Sequence, residues 1–574
     1  MRILILSGGT GSVALQKGLS EVVNEDTKVQ VLVNCYDNGL STGAVRQVFG
    51  GNILGPSDLR KNQTLIMELS GVPQSVLDFM AIRFDAMDHI EAENIVLTEI
   101  SAHLVGDLAE AARQAVVHFF NQPSSKKIRY DDFSASNIVY AGLAALNGNS
   151  LAAAGRVMAR LTGIPQDAVI LNDDNSLFLE AMSSKGVHIV DEGDIVSWNK
   201  PEDPIVKVMF ENDEMPVLSS EASDAIRAAD LIILSSGTQW SSLIPTYMSK
   251  GFYEAMGDSN AKVVMVMNKN PDKDAPEKTA SDWIEKISSY FPQKLNVLLC
   301  GDYNSSLNIV EEDRVNHLVD GLICTSPVHN SDKKKHDPAA LINGVFYLFY
   351  GSKKLFADHI VADYDDTISS RKQEGAELSK KVRKLIEDAR ATIISGNDKF
   401  KVNIDCEYIY ADRSSNLYVN GVFMRKLGPE NPNDIEAIYE IVKSIPTTVG
   451  KRNYSRAGVS VVSKPYYESD TRHLLCAIIN EKLEDEFPDY EANLSGSTSI
   501  EVGMKLRTKL TALDDIISKR GTNFVYIGDE FKGGGNDAAI FETYPENCVE
   551  VGSVGDTLLF MTMRNRLIEE YKGA

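Results

Sequence analysis

The stretch Ile360-Val-Ala-Asp-Tyr-Asp-Asp-Thr367 constrains what this chain can fold into more than any other. Its apolar start predicts a buried strand, and alternation along that strand delivers Asp363, Asp365 and Thr367 together at its C-terminal edge. Carboxylates that close repel one another in a dry site unless a cation or a shared proton lies between them. Magnesium resolves the conflict, because carboxylate and phosphate oxygens are its preferred ligands. The stretch therefore points to a magnesium site, against the plainer reading of a solvated acidic turn.

Later segments extend the pattern in order. Ala391-Thr-Ile-Ile-Ser395 reads as a second strand ending in a hydroxyl. Ile500-Glu-Val and the helical segment Leu506 to Leu513 bring in Lys509, and Phe524-Val-Tyr-Ile-Gly-Asp529, followed by Gly533-Gly-Gly-Asn536-Asp537, returns further acids. Together these motifs resemble the haloacid dehalogenase (HAD) superfamily of phosphotransferases, and most closely its phosphomannomutases and sugar-phosphate phosphatases. The resemblance implies Asp363 as nucleophile, Asp365 as general acid and base, and Ser395 and Lys509 on the phosphoryl oxygens. It also implies magnesium held by Asp363, the backbone carbonyl of Asp365, and Asp529, with Asn536 and Asp537 nearby. Phosphatase and phosphomutase both fit this set. About a hundred residues separate Ser395 from Ile500, too many for a simple connection. An inserted α/β cap over 401–497 is expected, between core segments 355–400 and 498–574. In that cap the resemblance places Lys451, Arg452 and Arg456 on a substrate's distal phosphate, although residue type alone equally suggests a solvated strand flank.

At the other end of the chain, the strand Ile3-Leu-Ile-Leu6 runs into Ser7-Gly8-Gly9-Thr10-Gly11-Ser12 and a helix beginning near Ala14. Glycines let a backbone approach an anion, and a helix N-terminus offers it free N–H groups, so the turn reads as a phosphate cradle. Gly9-x-Gly11-x-x-Ala14 also fits a dinucleotide fingerprint with Asp37 as ribose acid, and a purely structural turn is equally compatible. Further along come Tyr36-Asp37-Asn38-Gly39-Leu40-Ser41-Thr42-Gly43-Ala44-Val45-Arg46, Gly55-Pro-Ser-Asp58-Leu-Arg60, Phe133-Ser-Ala-Ser-Asn137, Leu231 to Ser236-Gly237-Thr238, and Met267-Asn268. This combination resembles the CofD/YvcK (UPF0052) family over roughly residues 1–330. That family contains the 2-phospho-L-lactate transferase and proteins that bind nucleotide sugars. The resemblance implies an α/β fold with a Rossmann-like parallel sheet in a first domain, 1–350. It implies a nucleotide, nucleotide sugar or phospho-compound bound by Gly8 to Ser12, Asp37, Asn38, Ser41, Arg46, Asp58, Arg60, Asn137, Gly237 and Thr238. The chain departs from the family's D-D-G-G-S-S-G run at Asn38, Leu40 and Thr42, and one carboxylate of the acidic pair is lost.

With 574 residues the chain needs more than one core. A formal charge of −23 argues against nucleic acid, whose phosphates need clustered cations. No apolar run approaches a membrane span, so a cytoplasmic protein is expected. The six cysteines and nine histidines show no metal-ligand spacing; the cysteines read as small buried hydrophobes. Lys333-Lys-Lys-His336, close to Pro338, reads as an exposed loop. The expected protein is thus a cytosolic two-domain enzyme that acts on a phosphate ester such as a sugar phosphate and uses Mg2+. Two alternatives stand beside it: an N-terminal domain that only senses a metabolite, or one that is itself an active phosphotransferase. Oligomerisation is compatible with all three.

Overall fold

The computed structural model describes the whole chain except residues 273, 302–304, 325–335, 371–374, 398, 400, 412, 413, 415, 427–431, 446–450, 456–457, 463–468, 496–498, 505–508, 533–534 and 574. The basic run 333–335 and Arg456 therefore lie outside the described residues, as do the side chains of Lys451 and Arg452. Two compact units emerge: residues 2–23 with 27–349, and residues 350–574 with 1 and 24–26.

The first unit is built on β1 (Arg2–Ser7), β2 (Lys28–Val33), β3 (Val169–Leu171), β4 (Leu231–Leu234), β5 (Lys262–Val266), β6 (Leu295–Leu299) and β7 (Val319–Cys324). Most of these are short continuous apolar runs, as expected of parallel strands covered on both faces. The sheet order is β7-β6-β5-β4-β1-β2-β3, all parallel, with Ile3 opposite both Val29 and Leu231. Strand order reverses between β1 and β4. Their outgoing loops diverge there and leave a crevice at the carboxyl ends, the usual ligand position in such sheets. Helices α1 (Val13–Ser20), α2 (Leu40–Val48), α3 (Ser57–Leu69), α4 (Ala135–Leu146) and α5 (Glu192–Ser197) surround that end. Helix α6 (Pro338–Tyr350) covers Gly18 with Pro338 and Ile342.

The second unit contains β8 (His359–Ala362), β9 (Thr392–Ile394), β10 (Tyr408–Ala411), β11 (Asn416–Val419), β12 (Val422–Lys426), β13 (Lys451–Ser455), β14 (Gly458–Val462), β15 (Tyr490–Ser495), β16 (Ser499–Met504), β17 (Phe524–Gly528) and β18 (Cys548–Glu550). One sheet runs β12-β11-β10-β9-β8-β17-β18 and another β13-β14-β16-β15. The expected cap boundaries need correction at both ends. Residues 408–426 join the core sheet, because β9 leaves an open edge that β10 pairs in parallel and the hairpin β11–β12 then extends. That hairpin turns on Asn420 and Gly421, both at left-handed φ (49° and 76°), as a two-residue turn requires. Conversely Ser499–Met504, expected in the core, pairs with β14 and β15 in the smaller sheet. Ile500 and Val502 pack there against Ile435, Ile438, Ile479 and Leu483 in a separate apolar core. The cysteine expectation also needs adjusting: Cys324 is exposed and Cys476 only half-buried. Among the described residues no helix is long and apolar enough to cross a membrane.

Candidate functional site

In the first unit the loop after β1, the start of α2 and the start of α3 converge on a cavity of about 970 Å3. Of the residues expected from the sequence, Gly9, Thr10, Asp37, Asn38, Ser41, Asp58, Arg60 and Thr238 line it. Asp37 Oδ1 accepts the Gly39 N–H at 2.9 Å and so fixes the turn into α2. Asn137, near the start of α4, sits behind this wall as a brace. Its Oδ1 accepts from Arg60 Nε at 2.9 Å, and its Nδ2 donates to Ser57 Oγ (3.2 Å) and Ser41 Oγ (3.3 Å). Thr238 Oγ1 pairs with Ser241 and Ser242 Oγ at 3.0 and 2.8 Å on the β4 side.

Several expected ligands turn away from the cavity. Arg46 is fully buried and serves as a staple. It donates to the carbonyls of Ile53 (3.2 Å), Tyr36 (3.2 Å) and Leu177 (2.7 Å) and lies 4.0 Å from the centre of the Phe178 ring. Burial lowers its guanidinium to about 10, which leaves it charged at neutral pH. Ser12 is consumed by Ser7 Oγ and Gln16 Nε2, both at 2.8 Å. The Gly8 carbonyl accepts from Asn62 at 2.9 Å, and Gly237 is clasped by Asn268. Gly11 is required by close packing rather than by a ligand: a Cβ there would lie 1.8 Å from the Ser236 carbonyl oxygen. The sequence reading also missed lining residues: Lys61, Arg83, Lys127, Arg129 and Glu192. Lys61 was within reach, three residues after Asp58 on the same helix face and 3.7 Å from its Oδ1. Glu192 had no such signal, because nothing in Asp191-Glu-Gly-Asp announces where that segment packs. Burial foremost, then Asp37 against the pull of Lys61, raises the Asp58 carboxyl to about 6.

The second unit gathers a separate centre at the carboxyl ends of β8, β9 and β17. Asp363 N donates to the Ile527 carbonyl at 2.9 Å, so the residue continues the ladder and its side chain leaves at the sheet's edge. Helix α7 (Lys509–Arg520) begins with Lys509. Its ammonium stands 2.8 Å from Asp363 Oδ1 and 2.8 Å from Asp537 Oδ1, with all three side chains buried. Tyr526 donates to Asp537 Oδ1 at 2.5 Å, and Thr367 to Asp529 Oδ1 at 3.3 Å. Burial alone would pull Lys509 down, but Asp363 and Asp537 outweigh it and hold the ammonium charged. Burial, then Asp537, raises the Asp529 carboxyl to about 6. Ser395 Oγ accepts from Asn397 N at 3.0 Å, and Asn397 Nδ2 donates to Asp365 Oδ2 at 2.5 Å, which ties those two residues together.

Oxygens of Asp363, Asp529 and Asp537 lie within 4.8 Å of one another, and Asn536 Oδ1 is buried with no hydrogen-bond partner among the described residues. Three carboxylates facing one ammonium, beside an unused amide oxygen, make a hard-oxygen donor set of the kind Mg2+ takes. Among the described residues Asp365 is not grouped with these three.

The profile of the family described as 2-phospho-L-lactate transferase CofD matches residues 3–339. A protein of Lactococcus lactis named "Putative gluconeogenesis factor" is 23% identical over 267 residues, 46% of this chain and 67% of its own length. The crystal structure of a UPF0052 family protein from Bacillus halodurans covers 60% of this chain and 99% of its own, with a TM-score of 0.46 and 19% identity. A Plasmodium falciparum IMP-nucleotidase covers 40% of this chain and 75% of its own, with a TM-score of 0.30 and 14% identity.

Proposed function

The chain belongs to the CofD family, whose profile spans more than half of it, and from that premise we propose a two-part protein of phosphate-ester metabolism. Its first unit takes a nucleotide, nucleotide sugar or other phospho-compound into the cavity beside Gly9 and Asp37. Its second unit is a HAD-type, Mg2+-dependent phosphatase or phosphohexomutase that acts on a sugar phosphate in the cytosol. The observation that carries the second half is the placement of Lys509 between Asp363 and Asp537 beside Asp529.

In this reading burial pushes the Asp363 carboxyl well above its usual range, and Lys509 orients it and opposes that push, favouring the ionised form needed for attack. A bond forms from an Asp363 oxygen to phosphorus as the bond from phosphorus to the sugar oxygen breaks, and Asp365 gives its proton to that oxygen. Asp365 then takes a proton from water or a second sugar hydroxyl as that oxygen bonds to phosphorus and the bond from phosphorus to the Asp363 oxygen breaks, which yields inorganic phosphate or a new sugar phosphate and restores the Asp363 carboxylate. Ser395 and the third N–H of Lys509 are left for the equatorial phosphoryl oxygens, where the transition state spreads its charge. Asp363, Asp529 and the carbonyl of Asp365 would hold Mg2+, with Asn536 and Asp537 around it. Bound there, the ion neutralises charge between carboxylates and phosphate. Lys451, Arg452 and Arg456 remain proposed contacts for a distal phosphate.

Screening the full chain for phosphate release and sugar-phosphate isomerisation, with magnesium and then with a chelator, tests this half. Turnover that survives chelation would contradict it. Calorimetry with uridine, guanosine and adenosine diphosphates tests the first half, which fails if none binds at millimolar concentration.

A further inference from the structure

Asp365 and Ser395 reach the second unit's centre from different strands, and their backbones are fixed independently. Ser395 N donates to the Tyr410 carbonyl at 2.7 Å, and the Ser395 carbonyl accepts from Ser414 N at 3.1 Å, so β10 and the turn beyond it hold that residue. Asp365 sits in a tight turn. Ile368 N and Ser369 N both donate to the Tyr364 carbonyl, at 3.0 and 2.9 Å, and Asp366 N donates to the Ser369 carbonyl at 2.9 Å. Asp366 takes a left-handed φ of 51° there, and the Tyr364 hydroxyl accepts from Asn403 N at 3.0 Å. These bonds fix the backbone of Asp365, but they do not set the two torsions of its side chain.

Asn397 supplies what they lack. It follows Ser395 by two residues, so its backbone N–H donates to Ser395 Oγ at 3.0 Å while its side-chain Nδ2 donates to Asp365 Oδ2 at 2.5 Å. Both bonds have a direction. With one lone pair of Oγ taken by the Asn397 N–H, Ser395 keeps its own hydroxyl proton for an outside acceptor. A carboxyl oxygen that accepts an amide N–H is the carbonyl-like one, which leaves the acid proton on Asp365 Oδ1. One asparagine therefore aims two groups that must act on a single phosphoryl centre, one on an equatorial oxygen and one on the leaving oxygen.

We infer that Asn397 is the positioning residue of the general acid: it turns the Asp365 carboxyl so that Oδ1 meets the ester oxygen. The inference rests on the phosphotransferase reading of the second unit and adds to it the residue that aims its acid. As an Asp363 oxygen bonds to phosphorus, the ester oxygen leaves with the electron pair of the broken bond and takes the proton from Oδ1. Asp365 is then a carboxylate, and its Oδ2 retains the Asn397 N–H. The side chain of Asn397 acts only through Asp365, and its backbone bond to Ser395 survives any side-chain substitution.

The test uses the full chain with magnesium, as wild type, Asn397→Ala, Asp365→Ala and the double variant, on the sugar phosphate that the wild type turns over fastest. The readout is kcat/KM, which covers the first transfer. Asn397→Ala should lose about tenfold to a hundredfold, the cost of letting an aimed group swing. The double variant should lose no more than Asp365→Ala alone, because no carboxyl is left to aim. Asn397→Leu, of similar size and without a donor, should repeat the pattern. An unchanged kcat/KM in the Asn397 variants overturns the inference, and so do losses that multiply in the double variant, the mark of a structural role or a direct sugar contact. A second readout is 4-nitrophenyl phosphate, whose leaving group departs without a proton. There the Asn397→Ala loss should be at least about tenfold smaller than on the sugar phosphate; equal losses on both substrates overturn the inference. A wild type inert toward every sugar phosphate sinks the phosphotransferase reading and the inference with it, whereas an active wild type with multiplying losses sinks the inference alone.

Discussion

Lys509 and Asp363 meet at 2.8 Å with each side chain only 5% exposed, and the same ammonium reaches Asp537 at an equal distance. One cation therefore offsets a cluster of buried acids. Such a pair contributes little net stability when complete, yet its loss is costly, because the remaining charges have neither water nor partner.

Lys509→Met should accordingly destabilise the second unit by about 3–5 kcal/mol in magnesium-free buffer. Adding Asp537→Asn to that variant should restore part of the loss. Denaturant unfolding of the two variants checks this, and a single variant as stable as wild type would show that the acids are protonated rather than paired.

Arg46→Met should act on stability and not on ligand affinity. It strands the buried carbonyls of Tyr36, Ile53 and Leu177, which at about 1–3 kcal/mol per unsatisfied group is a severe loss. Unfolding of the variant beside phosphate-ligand calorimetry separates the effects. Normal stability with lost binding would return Arg46 to the cavity.

Asp274 offers a pH test in the same unit. It is buried, neither carboxyl oxygen has a side-chain hydrogen-bond partner among the described residues, and burial followed by Asp272 raises it from 3.8 to about 8. A raised acid stabilises the fold fully below its unfolded value, and that contribution disappears as pH climbs through the folded one. Asp274→Asn, which cannot ionise, should therefore gain on wild type in melting temperature between about pH 4 and pH 8 and hold that gain above it, by roughly 2–4 °C per kcal/mol recovered. Parallel melting profiles would contradict the uncharged Asp274.

The parts of this architecture legible in the sequence are those set by short-range rules. An apolar run followed by Asp363, Asp365 and Thr367 must place acids at a strand end, and the turn after Leu6 must bend where its glycines are. What stayed hidden depends on distant packing. An arginine on α2 can face a cavity or the interior, and only Phe178 and the carbonyls of Tyr36, Ile53 and Leu177 decide that Arg46 turns inward. Tyr408–Lys426 resembled cap because it follows the motifs at a distance, but the open edge of β9 draws it into the core sheet. Glu192 comes close to Gly39 through tertiary packing that no local pattern announces.

The central claim, that the second unit transfers phosphoryl groups through Asp363, is tested most directly by turnover of the full chain on a panel of sugar phosphates with magnesium, wild type beside Asp363→Asn. The wild type should release phosphate or isomerise its substrate, and the variant, which keeps its folded-state melting transition, should lose at least about a thousandfold in turnover. Equal turnover by both proteins, or a wild type inert toward every phosphate ester, would contradict it.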